Sequence, residues 1–429
     1  MASAPALLPR PAVTQALLIG VSTAIALAVA WLARLALGRR HPAGFGARAW
    51  AAGTGTLVSI SAVYSNILWQ NKIRAAMDTH AVDWRYAVDV IGGAACVALA
   101  LWGIGFGVRR ACTALVGVRS IVLITVVGVL SYVFAVPALP SAVSRHFSAS
   151  NSVSVSVSVS DDSVIAPDKT TRSGGPGSLV PWGTLGDEGR KFASGGPVRS
   201  TVRTYVGLDS APTLDQRVAL AVADMERAGA FDRSVVVIAI PTGSGWVDEN
   251  AVAGAESRFG GDVATVAVQY SNKPSWATFL FAEDEAKRSA EAVTHAVAAA
   301  VARTSTPPQI VVYGQSLGAV AGSEAYLSLL RTDPHVCGAV WAGPPAGDVN
   351  TEGATVLANS SDPVVRWSAD LLWRAPETPA THHDAPTPMW LPLVSFVQTS
   401  VDLAAALDVG AGHGHRYGID QGTSMPVCR

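Results

Sequence analysis

The stretch "IVVYGQSLGAVAG", residues 310–322, decides the fold. Its first residues belong to a β-branched apolar run, residues 309–313, of the kind that forms a buried parallel strand. Residues 317–330 are Ala-rich with apolar side chains at helical spacing, which predicts a helix. The "GQSLG" turn between them has the G-x-S-x-G pattern, in which two glycines make room for a serine held in a strained backbone conformation. We therefore interpret Ser316 as a candidate nucleophile, although a small-residue turn without chemistry explains the pentad when it is considered alone.

Strands and helices alternate from about residue 182 onward. The predicted strands cover residues 201–208, 234–240, 263–269, 309–313, 338–342 and 354–358, and the predicted helices cover residues 214–228, 249–258, 278–303 and 319–330. Such alternation implies an α/β fold with a mostly parallel sheet that helices cover on both faces. Ligands bind such sheets at the carboxyl ends of the strands, and Ser316 follows one of those ends.

A serine nucleophile needs a base, an acid that orients the base, and an oxyanion hole. In this fold class the three side chains follow the chain order Ser, Asp, His. Asp362 lies in "NSSDPV", residues 359–364, directly after the strand predicted over residues 354–358. An Asp-Pro pair also starts helices well, so a helix N-cap explains Asp362 when it is taken in isolation. Its place in the chain order makes Asp362 the candidate acid.

The candidate bases lie in "GAGHGHRYG", residues 410–418, where His413 and His415 stand among four glycines. His382 and His383 lie in a Pro/Thr/Asp-rich stretch typical of an exposed loop. We favour His415 over His413 as the base, but spacing does not decide between them. A metal-binding role would need a third ligand nearby, and the sequence offers none. We predict neither a metal nor a cofactor.

Two backbone amides are predicted to form the oxyanion hole. The first is the N–H of Leu317, directly after the candidate nucleophile. The second is expected from "IPTGSGW", residues 240–246, through the N–H of Thr242 or Gly243, because glycine permits the required turn without an obstructing side chain. A plain strand-to-helix turn is the alternative interpretation of this loop.

The N-terminal part of the chain is strongly apolar. With 429 residues, 49% of them hydrophobic and only 15% charged, and a mean hydropathy of +0.32, the chain is too apolar to be soluble throughout. Four stretches of bilayer-spanning length, nearly free of charge, predict four transmembrane helices: Val13–Leu37, Trp50–Trp69, Tyr86–Val108 and Leu115–Leu139. A signal peptide followed by buried helices would explain the first stretch alone, which is too long for a signal sequence.

Basic residues set the expected orientation in a cell membrane. Arg39, Arg40 and Arg48 lie between the first two predicted spans, and Arg109 and Arg110 lie between the last two. The positive-inside rule places both of these loops in the cytoplasm. Both termini, and with them the catalytic part of the chain, are then expected on the extracytoplasmic side.

The sequence divides into three regions. Residues 1–140 are predicted to be the transmembrane region, residues 141–181 a Ser/Gly/Pro-rich linker, and residues 182–429 the catalytic domain. Within the linker, "SASNSVSVSVSVSDDS", residues 148–163, alternates Ser and Val as a strand would. Its low complexity favours a flexible tether instead.

Charge and cysteine content limit the partners and the covalent links. A formal net charge of -1 and the lack of basic runs argue against nucleic acid as a partner. Of the four cysteines, Cys337 and Cys428 lie in the catalytic part, where an extracytoplasmic setting allows a disulfide. Two free buried thiols explain this pair equally well.

Six segments carry a resemblance to a known family: "YVGLDSA" (205–211), "PTGSGWVDE" (241–249), "VAVQYSNKPSW" (266–276), "YGQSLG" (313–318), "SDPVVRW" (361–367) and "GHGHRYG" (412–418). They resemble the membrane-anchored α/β-hydrolase family of actinobacteria, in which a multi-helix membrane region precedes a serine-hydrolase-like domain. The resemblance implies Ser316 as nucleophile, Asp362 as acid and a histidine of the "GHGH" segment as base. One departure is Gln315, where an acidic residue is the commoner choice; it alters the charge beside the nucleophile but removes no catalytic atom.

Together these residues predict acyl transfer through a covalent acyl-serine. Water as the second nucleophile gives an esterase or lipase, whereas a sugar or lipid hydroxyl gives an acyltransferase. The predicted membrane region suggests a lipidic ester of the membrane or envelope as substrate. Five tryptophans near the candidate segments point the same way, although core packing explains most of them: Trp246, Trp276, Trp367, Trp373 and Trp390.

Two further hypotheses come from other functional classes. The first is a catalytically silent domain that binds a lipid or a partner, which the complete set of candidate catalytic residues disfavours. The second is a transporter or channel, which predicts ionisable residues inside the spans. The sequence shows none that is clearly central, and it does not indicate an oligomeric state. The Pro/Thr-rich stretch from Trp373 to Trp390 is either a lid or a surface loop.

Overall fold

The computed structural model describes residues 2–36, 45–115, 164–196, 201–272, 283–347, 349–377 and 382–428. Three long helices form the N-terminal part: α1 (Ala12–Ala36), α2 (Phe45–Ala76) and α3 (Trp84–Leu115). The C-terminal part contains six strands: β1 (Val202–Val206), β2 (Val235–Ile240), β3 (Val263–Val268), β4 (Gln309–Gln315), β5 (Val336–Ala342) and β6 (Ala354–Leu357). Eight helices of this part are α4 (Gly186–Ser194), α5 (Leu214–Arg227), α6 (Glu249–Arg258), α7 (Glu283–Val301), α8 (Leu317–Leu330), α9 (Pro363–Arg366), α10 (Val394–Asp402) and α11 (Asp420–Thr423).

The six strands form one sheet in the order β1-β3-β2-β4-β5-β6, and each neighbouring pair is parallel. This confirms the predicted α/β fold, and every strand ends within two residues of its predicted bounds. Strands β2 and β3 consist of Val, Ile and Ala apart from Thr265, because both of their faces are buried. The register sets Ile240 beside Gly314 and Ala342 beside Gln315, so the carboxyl ends of β2, β4 and β5 lie side by side.

A disulfide links Cys337 of β5 to Cys428, with the two Cα atoms 4.7 Å apart. The Cys428 N–H also donates to Oε1 of Gln309 at the start of β4. Residue 428 is thereby fixed to the edge of the sheet where the strands begin. Of the two alternatives that the sequence left open, a disulfide or two free thiols, the structure has the disulfide.

The prediction of four transmembrane helices is corrected to two candidate spans in the described part of the chain, Ala12–Trp31 and Trp84–Gly107. The predicted span Trp50–Trp69 does lie in a long helix, α2, but Gly, Thr and Ser residues make that helix less apolar than the other two. The hydroxyls of Thr54 and Ser59 bond to carbonyls one turn earlier. The predicted span Leu115–Leu139 lies outside the described residues beyond its first residue.

Helices α1 and α3 pack against each other through small residues. A Cβ atom added at Gly20 would lie 2.6 Å from Cβ of Val97, and one added at Gly93 would lie 2.9 Å from Cβ of Ala16. The contacts advance in the same direction along both helices, so α1 and α3 run parallel. Small residues that permit such close approach are typical of helix pairs in membranes.

Residues 2–11, here called the N-terminal segment, pack on the C-terminal part of the chain. The side chain of Arg10 forms a buried ion pair with Asp402 at 2.8 Å, and the main-chain N–H of Arg10 donates to Oε1 of Gln70. Leu7 and Leu8 pack in a small apolar cluster with Val409 and with Met77, which directly follows α2. The N-terminal segment therefore joins the start of α1 and the end of α2 to the sheet-containing part of the chain.

The predicted linker, residues 141–181, lies outside the described residues as far as residue 163. Its last part is attached to the domain that follows. The buried carboxylate of Asp224 in α5 accepts hydrogen bonds from the Ser173 hydroxyl at 2.8 Å and from the Leu179 N–H at 2.8 Å. Arg172 is buried and pairs with Arg203 of β1 in an isolated parallel bridge, so this stretch extends the edge of the sheet.

Candidate active site

Ser316 lies at the tight turn between β4 and α8, with φ 55° and ψ −124°. A positive φ is uncommon for any residue with a side chain, and it costs about 1–3 kcal/mol where the surrounding structure imposes it. Both flanking glycines are required, because a Cβ at Gly314 would collide with the carbonyl of Gly318 and a Cβ at Gly318 would collide with the carbonyl of Ile240. The Ser316 N–H donates to the carbonyl of Ala342 at 2.9 Å, which fixes the turn against β5.

Asp362 and His415 form a buried pair. Oδ2 of Asp362 lies 2.8 Å from Nδ1 of His415, and the carboxylate is fully buried. The same oxygen accepts a hydrogen bond from the Tyr417 hydroxyl at 2.7 Å, while Oδ1 accepts one from the Val364 N–H at 2.8 Å. Asp362 is thus also the N-cap of α9, so both interpretations of this residue hold at once.

The Tyr417 hydroxyl is a fixed donor to Asp362. Burial, followed by the negative charge of Asp362, raises the pKa of Tyr417 well above its ordinary value. The hydroxyl therefore stays protonated and keeps its proton directed at the carboxylate. The sequence analysis did not single out Tyr417, although it stands two residues after His415.

The imidazole of His415 lies beside the Ser316 turn. Gly343 follows Ala342, the residue bonded to the Ser316 N–H, and a Cβ at Gly343 would lie only 2.7 Å from Cε1 of His415. With Nδ1 engaged by Asp362, Nε2 is the ring nitrogen left for the serine. Within the described residues the Ser316 hydroxyl has no hydrogen-bond partner, and its side chain is half-buried. Long or absent bonds between nucleophile and base are common before substrate binds.

Gln315 connects the Ser316 turn to residues 410–418, here called the histidine loop. Its Nε2 donates to the main-chain carbonyl of His415 at 3.2 Å, a bond that an ionised acidic residue could not make. Its Oε1 lies 3.3 Å from the Tyr313 hydroxyl, which is also 2.6 Å from Oε1 of Gln421. Gln421 in turn donates to Asp248 at 2.9 Å. Glutamine at position 315 therefore has a structural reason, because this buried network needs an amide there.

The predicted oxyanion-hole residues meet at the same place. Leu317 is the first residue of α8, where the helix leaves its N–H groups without intrahelical partners. The loop after β2 is in contact with the turn, since the carbonyl of Pro241 would lie 3.5 Å from a Cβ at Gly318. The N–H of Thr242 is already used, because it donates to the carbonyl of Trp246 at 3.0 Å. The structure therefore leaves Gly243, and not Thr242, as the second candidate donor.

His413 belongs to a second, separate pair. Its Nδ1 lies 3.0 Å from Oδ2 of Asp384, a residue that the sequence analysis did not single out. Burial alone would raise the pKa of Asp384, but hydrogen bonds from Ser361, His413 and Ser360 together lower it below its ordinary value. This pair ties residues 382–385 to the histidine loop, and the pairing assigns His415, not His413, to Asp362.

Each candidate histidine thus has one carboxylate partner. Across the described ranges of the chain, no three His, Cys, Asp or Glu side chains are grouped so that they could hold a metal ion. Ser316, Leu317, Asp362 and His415 come together at the carboxyl edge of the sheet, with the Gly243 loop beside them. Such an arrangement can activate a hydroxyl and stabilise an oxyanion.

The chain belongs to an alpha/beta-hydrolase family. The model described as "Alpha/beta-hydrolase family" matches residues 202–355 and 350–425, and the model described as "Alpha/beta-hydrolase family N-terminus" matches residues 4–197. The family part of the resemblance is therefore confirmed, together with an N-terminal domain that accompanies it. The actinobacterial source and the membrane anchoring implied with that resemblance stay predictions. No curated protein and no solved structure matches the chain.

Proposed function

We propose that this protein is a serine hydrolase that cleaves carboxylic esters through an acyl intermediate on Ser316. The observation that carries the proposal is the buried hydrogen bond between Asp362 and His415, placed beside a serine with a strained backbone. A structural histidine–carboxylate pair would not need a strained serine next to it. Strain of this kind persists where a function requires it.

In the proposed mechanism, Nε2 of His415 accepts the proton of the Ser316 hydroxyl as Oγ attacks the ester carbonyl carbon. The carbonyl oxygen becomes an oxyanion, which the N–H groups of Leu317 and Gly243 stabilise. Asp362 stabilises the imidazolium, and the Tyr417 hydroxyl holds Asp362 in place. The C–O bond to the alcohol then breaks, and His415 protonates the leaving oxygen. Water repeats the sequence and releases the acid.

We further propose that α1 and α3 anchor the enzyme in a membrane and that the ester is a lipid. The candidate span in α1 has 20 residues, which is about 30 Å at ~1.5 Å per residue and equals the thickness of a bilayer core. Trp84 and Trp102 stand near the two ends of the candidate span in α3, where tryptophans concentrate at membrane interfaces. Because the N-terminal segment contacts both α1 and the catalytic domain, that domain lies on the side where α1 begins.

The proposal is tested by trapping the acyl-enzyme. The purified protein is mixed with a p-nitrophenyl ester, and we expect a burst of p-nitrophenol together with an acyl adduct on the peptide that contains Ser316. Ser316→Ala should abolish both signals. Ser328→Ala is the matched control, since this serine is exposed on the same helix, α8, and its removal should change neither. A folded wild-type protein without burst or adduct would favour the silent binding domain instead.

The same experiment separates hydrolysis from acyl transfer. If the acyl group of the adduct moves to water, free acid accumulates at the steady-state rate. If it moves to an added glycerol or sugar hydroxyl faster than to water, the enzyme is an acyltransferase that uses the same three residues. Product analysis by mass spectrometry distinguishes the two outcomes.

A further inference from the structure

An exposed apolar surface lies on the catalytic domain, outside the candidate active site. Four large side chains close together in the chain are exposed to solvent, namely Trp373 (62% exposed), Met389 (80%), Leu391 (39%) and Leu393 (52%). We call these four residues the apolar edge. A contiguous apolar patch on a protein surface marks an interaction site more often than chance.

The apolar edge is held in a defined shape. The Leu393 N–H donates to the carbonyl of Leu372 at 3.0 Å, and the indole N–H of Trp390 donates to the carbonyl of Leu371 at 3.1 Å. These bonds place residues 371–373 alongside residues 390–393. Leu393 has φ 62°, a conformation that a branched side chain adopts only when its surroundings impose it. The exposure of the four side chains is therefore part of the folded structure.

The apolar edge lies close to the point where the chain enters α1. A small surface cleft is lined by Pro5 and Leu7 of the N-terminal segment together with Pro388, Trp390 and other residues of the same loop region. Leu7 precedes the first residue of α1, Ala12, by five residues, and a chain of that length spans at most about 18 Å. The loop that carries the apolar edge thus packs beside the segment that leads directly into a candidate membrane span.

We propose that the apolar edge is a membrane-docking surface, whose side chains enter the boundary between headgroups and acyl chains of the leaflet into which α1 inserts. The inference rests on the proposed membrane insertion of α1 and α3, and not on the chemistry of Ser316. A bilayer is the occupant that the position selects, because the surface is continuous with the start of a membrane span. Tryptophan and large aliphatic side chains are also the ones that favour this boundary.

Docking would bring the candidate active site to the bilayer surface. Residues 382–393, which carry three side chains of the apolar edge, also contact the histidine loop. The contact is made by Asp384, which binds His413 and accepts hydrogen bonds from the hydroxyl and the main-chain N–H of Ser361. Leu8 of the N-terminal segment lies against Gly414, which stands between the two histidines; its Cδ2 would be 3.3 Å from a Cβ there. An ester that resides in the leaflet would then meet the site without leaving the membrane.

The experiment uses single-cysteine variants of the full-length protein in lipid nanodiscs. Cys96, exposed near the middle of the candidate span in α3, is labelled with an NBD fluorophore in a Cys112→Ser background and reports membrane insertion itself. Met389→Cys and Leu391→Cys, in a Cys96→Ser, Cys112→Ser background, report the apolar edge. Ser305→Cys is the control, since it is exposed just before β4 at the opposite edge of the sheet. Lipids with a doxyl group near the headgroup quench fluorophores that reach the interface, and lipids with a doxyl group near the end of the acyl chain quench the fluorophore on Cys96 at the middle of the bilayer.

We expect headgroup-doxyl lipids to reduce NBD fluorescence at positions 389 and 391 at least twofold more than at position 305, with an emission in nanodiscs that is blue-shifted relative to position 305. Quenching at Cys96 without quenching at 389 and 391 would overturn the docking surface and leave the membrane anchor intact. A lack of quenching at Cys96 would overturn the anchor and the docking surface together. A blue-shifted emission at 389 that doxyl lipids do not quench would show that protein covers the surface, which also contradicts the proposal. Met389 is 80% exposed, so its replacement should not disturb folding.

Discussion

The side-chain amide of Gln315 donates a hydrogen bond to the main-chain carbonyl of His415, with 3.2 Å between Nε2 and the oxygen. The residue before the proposed nucleophile thereby holds the backbone of the proposed base. Two loops separated by 100 residues are joined in this way. The bond is buried, so water cannot replace either partner at low cost.

Gln315→Glu should slow the reaction because an ionised carboxylate would face the His415 carbonyl without a proton to donate. Leaving a buried acceptor without its donor costs about 1–3 kcal/mol, and we expect the rate of serine acylation to fall roughly tenfold or more. Tyr313→Phe is the control, since it removes a hydroxyl from the same network but leaves the bond to His415. Equal rates for Gln315→Glu and the wild type would contradict the positioning role.

Gly343→Ala should displace the base. The added methyl group would lie 2.7 Å from Cε1 of His415, and the backbone at this position has φ 54°. We expect acylation to fall by about two orders of magnitude, the size of a lost general base. Gly260→Ala controls for backbone strain alone, because Gly260 has φ 59° and open space around the added atom. If both variants lose the same activity, the contact with His415 is not the cause.

Asp384→Asn should change stability with pH while activity changes little. The pKa of Asp384 is lowered from its ordinary 3.8, so its contribution to stability is complete above that pH and is lost as the pH falls below it. The unfolding temperature of the variant should therefore lie below that of the wild type at pH 7. The two should approach each other below about pH 3.8. If the difference in unfolding temperature between the two proteins grew as the pH fell, the stabilising role of ionised Asp384 would be contradicted.

Asp362→Asn is the comparison for activity. It removes the acceptor for His415 Nδ1, and the equivalent change in serine proteases reduces turnover about 10⁴-fold. Asp384→Asn should retain activity within a few fold, since His413 is not the proposed base. Acylation rates of the two variants, measured side by side, check the assignment of the two Asp–His pairs.

Arg10→Ala should destabilise the junction between the N-terminal segment and the catalytic domain. The pair with Asp402 is buried, and removal of one partner leaves an uncompensated charge that costs about 3–5 kcal/mol. The double variant Arg10→Met, Asp402→Leu should recover most of the loss. Lys191→Ala, in an exposed pair with Glu188, should change stability by less than about 1 kcal/mol. Thermal unfolding in detergent measures all three, and an unchanged midpoint for Arg10→Ala would contradict the docked arrangement.

Local sequence patterns predicted the sheet well because its strands are buried on both faces. Residues 235–240 are apolar throughout and residues 263–268 are apolar apart from Thr265, as such positions favour, so both stretches stand out without knowledge of the fold. The turn at Ser316 was equally visible, since the collisions at Gly314 and Gly318 leave no other residue possible. The chain order then pointed to Asp362.

The sequence could not decide the features that depend on distant contacts. His413 and His415 have nearly the same local surroundings, and only the positions of Asp384 and Asp362 in space assign their roles. The N–H of Thr242 is engaged in its own turn, which composition does not reveal. The attachment of residues 173–179 rests on Asp224, some 50 residues further along the chain.

The measurement that tests the central claim most directly is labelling of the purified protein with a fluorophosphonate probe. The wild type is compared with Ser316→Ala, His415→Ala and His413→Ala. Our account predicts that the wild type is labelled, that Ser316→Ala is not, and that His415→Ala reacts about 10²-fold or more slowly. His413→Ala should remain within a few fold of the wild type. Labelling of Ser316→Ala, or a loss confined to His413→Ala, would contradict the assignment of Ser316, Asp362 and His415.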